Sequence, residues 1–478
     1  MPSTDTRTYD VVVIGAGPVG ENVADRTVAA GLSTVIVENE LAGGECSYWA
    51  CEPSKALLRP VLLRADAARV PGLNPAVAGP LDARAVLAHR DAMVDNWSDA
   101  GQVAWLKSAG IELVRGHGRL DGPRRVSVQT PDGATVLLEA RHAVAVCTGS
   151  GAALPDLPGL EALRPWTSRE ATSAKAVPGR LVVVGGGVVA TEMATAWQAL
   201  GSHVTLVARG SRLLARMEPF AGELVAERLR EAGADLRFDA TVVAASRDPQ
   251  GEVRVTLSDG SRLTADEILF ATGRAPRTAD IGLETVGLTP GSWLDVDDSL
   301  TVDMTDGPWL YAVGDVNHRA LLTHQGKYQA RIAGAVIAAR AQGTPQDTAA
   351  WSAHRATADN DAVPQVVFTD PEIAAVGLTT VEAERTGRRV DVVDYEIGRV
   401  AGAVQHHPGY RGTARMLVDP ERRTVVGVTF AGPGVAELLQ SATIAVAGEV
   451  PVDRLWHAVP PFPTISEIWL RLLETYRG

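Results

Sequence analysis

Near the start of the chain lie short runs that are almost wholly apolar. Residues 10–14 (DVVVI) form the first, and Thr34–Val37 the second. Runs without polar alternation mark strands buried on both faces of a parallel sheet. Between them lie a glycine-rich turn and a stretch of helical spacing through about Ala30, so the segment predicts a βαβ unit. Leu181–Val184 (LVVV), a second glycine turn, a helical stretch to Leu200 and then Val204–Val207 repeat the pattern about 170 residues later.

Other patterns separate the two units. Residues 56–110 carry helical apolar spacing, broken at Pro71-Gly72 and again near Gly79-Pro80. Residues 111–147 alternate and hold turn pairs such as Asp121-Gly122 and Asp132-Gly133, which predicts strands and hairpins. A Pro-rich connector, Leu154–Pro165, leads into the second unit. Residues 341–364 read as a polar linker, and the remainder mixes strands and helices before an amphipathic helix near Ile465–Leu473. The expected class is α/β: two doubly wound, Rossmann-like nucleotide-binding domains plus a C-terminal α+β domain. The expected boundaries are 1–155, with a helical insertion at 56–110, then 156–275, 276–350 and 351–478.

The glycine turns bring in chemistry. Gly15-Ala16-Gly17-Pro18-Val19-Gly20 is a complete G-x-G-x-x-G between strand and helix. Such glycines let the backbone approach a pyrophosphate, which then meets unpaired N–H groups at the helix start. Glu38 ends the second strand, where an acid binds a ribose 2′-hydroxyl. The alternative is a turn that only packs helix on strand. The second turn is Gly185-Gly186-Gly187-Val188-Val189-Ala190. Counting the Gly15-to-Glu38 spacing from Gly185 lands on Ala208, followed by Arg209, with Arg212 and Arg216 close behind. The acid is missing and a cation stands beside the gap, an arrangement that favours a 2′-phosphate. NADPH is therefore expected over NADH, unless these arginines are simply solvated. Two such sites suit one resident flavin, FAD, and one exchanging nicotinamide.

A close cysteine pair lies between the units, in Gly43-Gly44-Glu45-Cys46-Ser47-Tyr48-Trp49-Ala50-Cys51-Glu52-Pro53-Ser54-Lys55. An apolar helical run follows from Ala56. At a helix start the dipole stabilises a thiolate, and a dithiol so tuned can exchange with a disulfide. Two inert core thiols are the alternative. Zinc would need four ligands, and the chain has three cysteines in all, so no metal site is expected. Cys147 lies in the apolar stretch Ala143–Cys147 and reads as a core thiol. Tyr48 and Trp49 read first as packing, second as an aromatic wall beside the sulfurs.

The formal net charge of −12 argues against a nucleic-acid partner and against docking on an anionic membrane surface. No run of about 18 apolar residues predicts a spanning helix. The N-terminus shows no apolar signal core, so a cytoplasmic location is expected.

Together these motifs resemble the pyridine nucleotide–disulfide oxidoreductases, the group of glutathione reductase, dihydrolipoamide dehydrogenase and mercuric reductase, over nearly the whole chain. The most specific signature is GG-x-C-x4-C-x-P-S-K, from Gly43 to Lys55. Others are Cys147-Thr148-Gly149-Ser150 before Pro155, the second glycine turn ending in Glu192, Ala271-Thr272-Gly273-Arg274-Ala275-Pro276, Tyr311-Ala312-Val313-Gly314-Asp315, and Val363–Leu378 (VPQVVFTDPEIAAVGL). The resemblance implies a homodimer joined through the C-terminal domain. It implies that Cys51 is the thiolate facing the flavin and Cys46 the interchange thiol. Lys55 would sit near flavin N5 and pair with Glu192, and Asp315 would bind the ribityl chain. Gly15, Gly17, Gly20, Glu38, Gly44, Thr148, Gly149, Gly314 and His324 fall on the FAD side. Gly185, Gly187, Ala190, Arg209 and Gly273 fall on the nicotinamide side.

One departure matters. Disulfide-reducing members carry His-Pro-Thr-x-x-Glu near the C-terminus, where the His moves a proton and the Glu orients it. Here the stretch reads Phe462-Pro463-Thr464-Ile465-Ser466-Glu467. Phenylalanine transfers no proton, so efficient reduction of a small disulfide is in question. His457, five residues upstream, reads as a surface or structural residue, and His324 is a candidate proton source. Mercuric reductases use a second, C-terminal cysteine pair, which argues against a mercury role. The expectation is an NADPH-dependent FAD reductase whose small-molecule electron acceptor needs little proton help, such as a quinone. The alternatives are a true disulfide reductase with another proton source, and a non-catalytic dimeric redox sensor.

Overall fold

The computed structural model describes residues 5–478. The chain divides into two compact units. One takes the chain to Glu52, then Asp91–Ala153 and Arg274–Asn360; the other holds Pro53–Arg90, Leu154–Gly273 and Asp361–Gly478.

In the first unit, β1 (Asp5–Ile14) runs parallel to β2 (Thr34–Glu38), with α1 (Pro18–Ala29) crossing between them. The apolar run 10–14 is the buried end of a longer strand, whose polar half pairs with residues 136–140. Pro18 supplies a preset φ at the first helical position, so the helix starts directly from Gly17. Gly31 follows it with φ +85°, a left-handed stop that suits glycine. The order across the sheet is β3 (Glu112–Arg115), β2, β1, β6 (Thr135–Val146), β5 (Arg125–Gln129), β4 (His117–Leu120). Strand Leu310–Ala312 returns from far downstream to pair parallel with β6. The three parallel strands β1–β3 are the doubly wound half, and β4–β6 form the expected hairpins. The sheet core holds Val11, Val13, Ile36, Ala143 and Ala145, with Ala330, Ala333 and Val336 of helix Thr323–Gln342 packed on the α1 side.

The cysteine segment forms two helices: α2 (Gly44–Tyr48) and α3 (Cys51–Arg69), the latter continuing into the second unit. Tyr48 and Trp49 are buried in a small cluster with Val94, Leu41 and Trp97, which is the packing role.

In the second unit four parallel strands stand in the order Asp235–Arg237, His203–Val207, Arg180–Val184, Glu267–Phe270. Helix Val188–Ala199 covers them, burying Met193, Ala194 and Trp197. Residues 154–165 are less open than their prolines suggest, since Leu160–Leu163 is a helical turn that buries Leu163. Arg90 is fully buried and donates to the carbonyls of Thr172 and Ala174. The C-terminal part is a five-stranded sheet, Pro364–Val367, Glu372–Gly377, Thr424–Gly432, Thr413–Asp419, Asp391–Glu396, in which all neighbouring strands are antiparallel. Its last helix is Ile468–Arg477, a few residues later than the pattern placed it, because residues 465–467 wind as a tighter 3-10 turn. Among the described residues no helix is long and apolar enough to cross a membrane.

Candidate functional site

The first glycine turn brings distant segments into backbone contact. Gly15 has φ +103°, and a Cβ there would lie 2.5 Å from the Cys147 carbonyl oxygen. Gly44 has φ +60°, and its Cβ would lie 2.7 Å from Gly17 Cα. Gly20 packs on the Gly15 carbonyl, and Gly314, φ +84°, packs on Val19. Gly15, Gly17, Gly20, Gly44, Thr148 and Gly314 therefore meet around one helix end. No side chain caps that end at Gly17, which leaves the first amides of α1 open to an anion. Thr148 Oγ1 is buried without a partner, and Gly149 beside it turns with φ +70°.

Glu38 is buried at the end of β2, and burial pushes its carboxyl up. Its oxygens accept from the amides of Ala16 and Glu40, both at 2.8 Å. Asp315 is pushed up by burial as well; it accepts from the Ser150 hydroxyl at 2.5 Å, and Arg274 Nε lies 3.7 Å away. Arg274 also donates to the Ser150 carbonyl at 2.7 Å, and Arg277 donates to Glu45 at 2.5 Å. Ser150, Arg274, Arg277 and Glu45, to which the sequence reading assigned no role, extend this polar cluster.

The sulfurs lie in the same unit. Cys46 sits on α2 and Cys51 opens α3, where the helix dipole favours a thiolate. Cys46 is held well above the ordinary thiol range, first by its hydrogen bond with Cys51 and then by burial. Thr323, the first residue of helix Thr323–Gln342, donates its hydroxyl to Cys46 at 3.1 Å and lies 3.3 Å from Cys51 Sγ. Sequence reasoning passed over Thr323 in favour of its neighbour His324, which is exposed. Cys147 is buried just beyond β6, and burial pushes its thiol up.

The second unit holds the other charged residues of the reading. Lys55, one turn along α3 from Cys51, pairs with Glu192 at 2.8 Å and lies over the Phe368 ring at 4.8 Å. Glu192 is buried and also accepts the Phe368 amide at 3.0 Å. The second glycine turn has Gly185 at φ +136° against the Ala271 carbonyl, and helix Val188–Ala199 starts at Gly187 with no side-chain cap. Ala190 is buried in its first turn, and Gly273 turns with φ +145°. Ala208 is buried, Arg209 and Arg216 are exposed, and Arg212 donates to the Ala215 carbonyl at 3.0 Å. Phe462 is 76% exposed, whereas Glu467 is buried with Oε2 unpartnered. Segment 462–467 rests on helix Ala401–His406, where Gly402 leaves room for the Thr464 backbone. His457 is exposed.

Two Rossmann-like sheets with open helix starts and a hydrogen-bonded cysteine pair define a two-nucleotide redox protein. Comparison places it more closely. The chain matches the pyridine nucleotide-disulphide oxidoreductase family over residues 9–343 and that family's dimerisation domain over residues 363–472. It belongs to this family, whose members pair FAD with a pyridine nucleotide. A mercuric reductase of Acidithiobacillus ferrooxidans is 31% identical, covering 97% of this chain and 82% of that protein. Dihydrolipoyl dehydrogenase 3 of Pseudomonas aeruginosa is 31% identical, covering 96% of each. Among solved structures, the HOCl-induced flavoprotein disulfide reductase RclA of Escherichia coli superposes with a TM-score of 0.81 at 23% identity, covering 98% of this chain and 99% of that one. LpdA of Mycobacterium tuberculosis gives 0.82 at 24%, covering 99% and 100%. These two structures share the fold.

Proposed function

We propose that the protein takes electrons from NADPH and delivers them, by way of FAD and the Cys46–Cys51 pair, to a small-molecule acceptor that needs little proton help, a quinone first among them. The observation that carries this reading is the sulfur site itself. Cys46 and Cys51 are hydrogen-bonded to each other, Cys51 stands at a helix start, and one hydroxyl contacts both.

The residues around α1 fit FAD. Its uncapped first turn, the orphaned Thr148 hydroxyl and the close Gly17–Gly44 approach suit a pyrophosphate held by backbone amides. Gly15, Gly17, Gly20, Gly44, Thr148, Gly149, Gly314 and the turn at His324 would hold it, with Asp315 on the ribityl chain. The Glu38 oxygens hold the Ala16 and Glu40 amides and keep lone-pair capacity for a ribose hydroxyl. Bound there, FAD would supply hydride acceptance from the nicotinamide and two-electron delivery to the disulfide. Residues 1–155 and 276–350 would form this side, 156–275 the nicotinamide side with Gly185, Gly187, Ala190 and Gly273, and 351–478 the contact of a homodimer. NADPH is preferred over NADH because Ala208 replaces the acid and Arg209 stands exposed beside it.

The chain's own residues then divide the work. Cys51 carries the thiolate and Cys46 keeps its proton until an acceptor arrives. The Lys55–Glu192 pair keeps a positive charge one turn from Cys51. Phe462 offers no proton, so the fast acceptors are those that take electrons without protonation of a leaving thiolate. A second reading, true disulfide reduction, is favoured by the Thr323 contact, a hydroxyl placed to manage charge between the sulfurs. Turnover of purified enzyme with quinones against a panel of disulfides separates the two. Quinone turnover well above disulfide turnover supports the first reading, and the reverse order replaces it with the second.

A further inference from the structure

We propose that Thr323 makes Cys46 the attacking nucleophile: its hydroxyl donates to Cys46 and accepts from Cys51, which stabilises the pair after the proton has crossed from Cys46 to Cys51. The inference rests on the redox-pair reading above and assigns a task that Phe462 leaves unfilled.

In the reduced pair one proton is shared between two sulfurs. With Cys46 as thiol it points at Cys51, the hydrogen bond that holds Cys46 protonated. An incoming electrophile needs the charge on Cys46. Transfer along the direct contact breaks the Cys46 S–H bond and forms a Cys51 S–H bond; no electrons move, and one negative charge shifts from Cys51 to Cys46. After the transfer, each sulfur has the partner its new state requires. The Thr323 O–H lies 3.1 Å from the charged Cys46 as donor, and its oxygen lies 3.3 Å from the Cys51 thiol as acceptor. A hydroxyl suits both demands at once because it carries one proton and free lone pairs.

The surroundings work against a thiolate on Cys46. The Cys51 hydrogen bond, burial and the nearby Glu52 carboxylate all disfavour it, whereas Thr323 favours it. Thr323 opens helix Thr323–Gln342, and its hydroxyl is turned to the two sulfurs. The site is therefore set from the start of helix Thr323–Gln342 by one short side chain, held near the sulfurs by the fold rather than by local sequence.

The test is the pH dependence of alkylation at Cys46. Flavin-loaded protein is reduced anaerobically with NADPH and pulsed with iodoacetamide between pH 5 and 10. Peptide mass spectrometry then separates Cys46 from Cys51 and Cys147. A hydrogen bond to a charged group is worth roughly one to two pKa units. Thr323→Val and Thr323→Ala should therefore move the Cys46 midpoint up by about one pH unit or more, while Thr323→Ser stays near wild type. The alanine variant carries the test if valine costs the protein its flavin. Midpoints unchanged in both hydroxyl-free variants overturn the proposal, and so does a serine variant that behaves like alanine. If NADPH produces no alkylatable Cys46 in the wild type, the redox-pair reading fails first and this inference falls with it.

Discussion

Replacing Lys55 with methionine should destabilise the second unit by about 2–3 kcal/mol. Lys55 Nζ lies 2.8 Å from Glu192 Oε2. At that separation and an effective dielectric constant of about 20, the gross attraction is about 6 kcal/mol. The lysine side chain is 38% exposed and the glutamate 5%. Screening on the lysine side reduces the net value of the pair to about 1–2 kcal/mol. Removing the lysine adds a further cost, because Glu192 remains buried with the Phe368 amide at 3.0 Å as its remaining contact in this group. Loss of the ammonium over the Phe368 ring contributes a few tenths more. In a unit of this size each kcal/mol moves Tm by about 1.5–2 °C, which predicts a fall of about 4 °C for Lys55→Met. Glu192→Gln keeps an acceptor for the amide and leaves Lys55 solvated, so it should cost only about 1 kcal/mol. Thermal unfolding of both single variants and the double variant closes the cycle. Additive shifts, with the lysine variant within 1 °C of wild type, would refute the reasoning.

Three further predictions follow from separate features. Arg209→Ala should lower kcat/KM for NADPH about tenfold and leave NADH nearly unchanged, the size of one exposed charge-assisted contact; equal losses with both cofactors contradict the 2′-phosphate assignment. Phe462→His should raise disulfide reduction by about 10–100-fold, part of the range for a positioned proton donor; steady-state kinetics with a small disulfide shows whether the pocket accepts it. Burial pushes the Glu21 carboxyl up to about 8. The native state then holds a proton that the unfolded chain releases, so stability falls as pH rises from about 4.5 to 8. Glu21→Gln should remove that fall, gaining up to about 4 kcal/mol at pH 9 and little at pH 5; parallel pH profiles of Tm for variant and wild type would contradict it.

Much of this architecture was legible because its signals are local. Valine and isoleucine runs, glycine spacing and Pro18 at a helix start each act over a few residues, so both strand–turn–helix units could be read directly. The acid at Glu38 and its replacement by Ala208 were legible for the same reason. Contacts made across the chain were not. Thr323 lies 277 residues from Cys46, and no periodicity links them. Strand Leu310–Ala312 returns to pair with β6, and the helix that follows a short distance later begins at Thr323. Ser150, Arg274 and Asp315 likewise come from separate segments. The polar half of β1 was missed because its residues alternate at an exposed edge of the pattern, where pairing with β6 rather than burial makes the strand. His324 drew notice because imidazole is a common proton carrier; the hydroxyl of Thr323 beside it is the group within 3.1 Å of Cys46 Sγ.

The most direct test of the central claim is anaerobic titration of the purified, flavin-loaded protein with NADPH. The first equivalent should produce a long-wavelength charge-transfer band from the Cys51 thiolate, and Cys51→Ser should abolish it. Immediate bleaching of the flavin with no such band would contradict the passage of electrons through the two sulfurs.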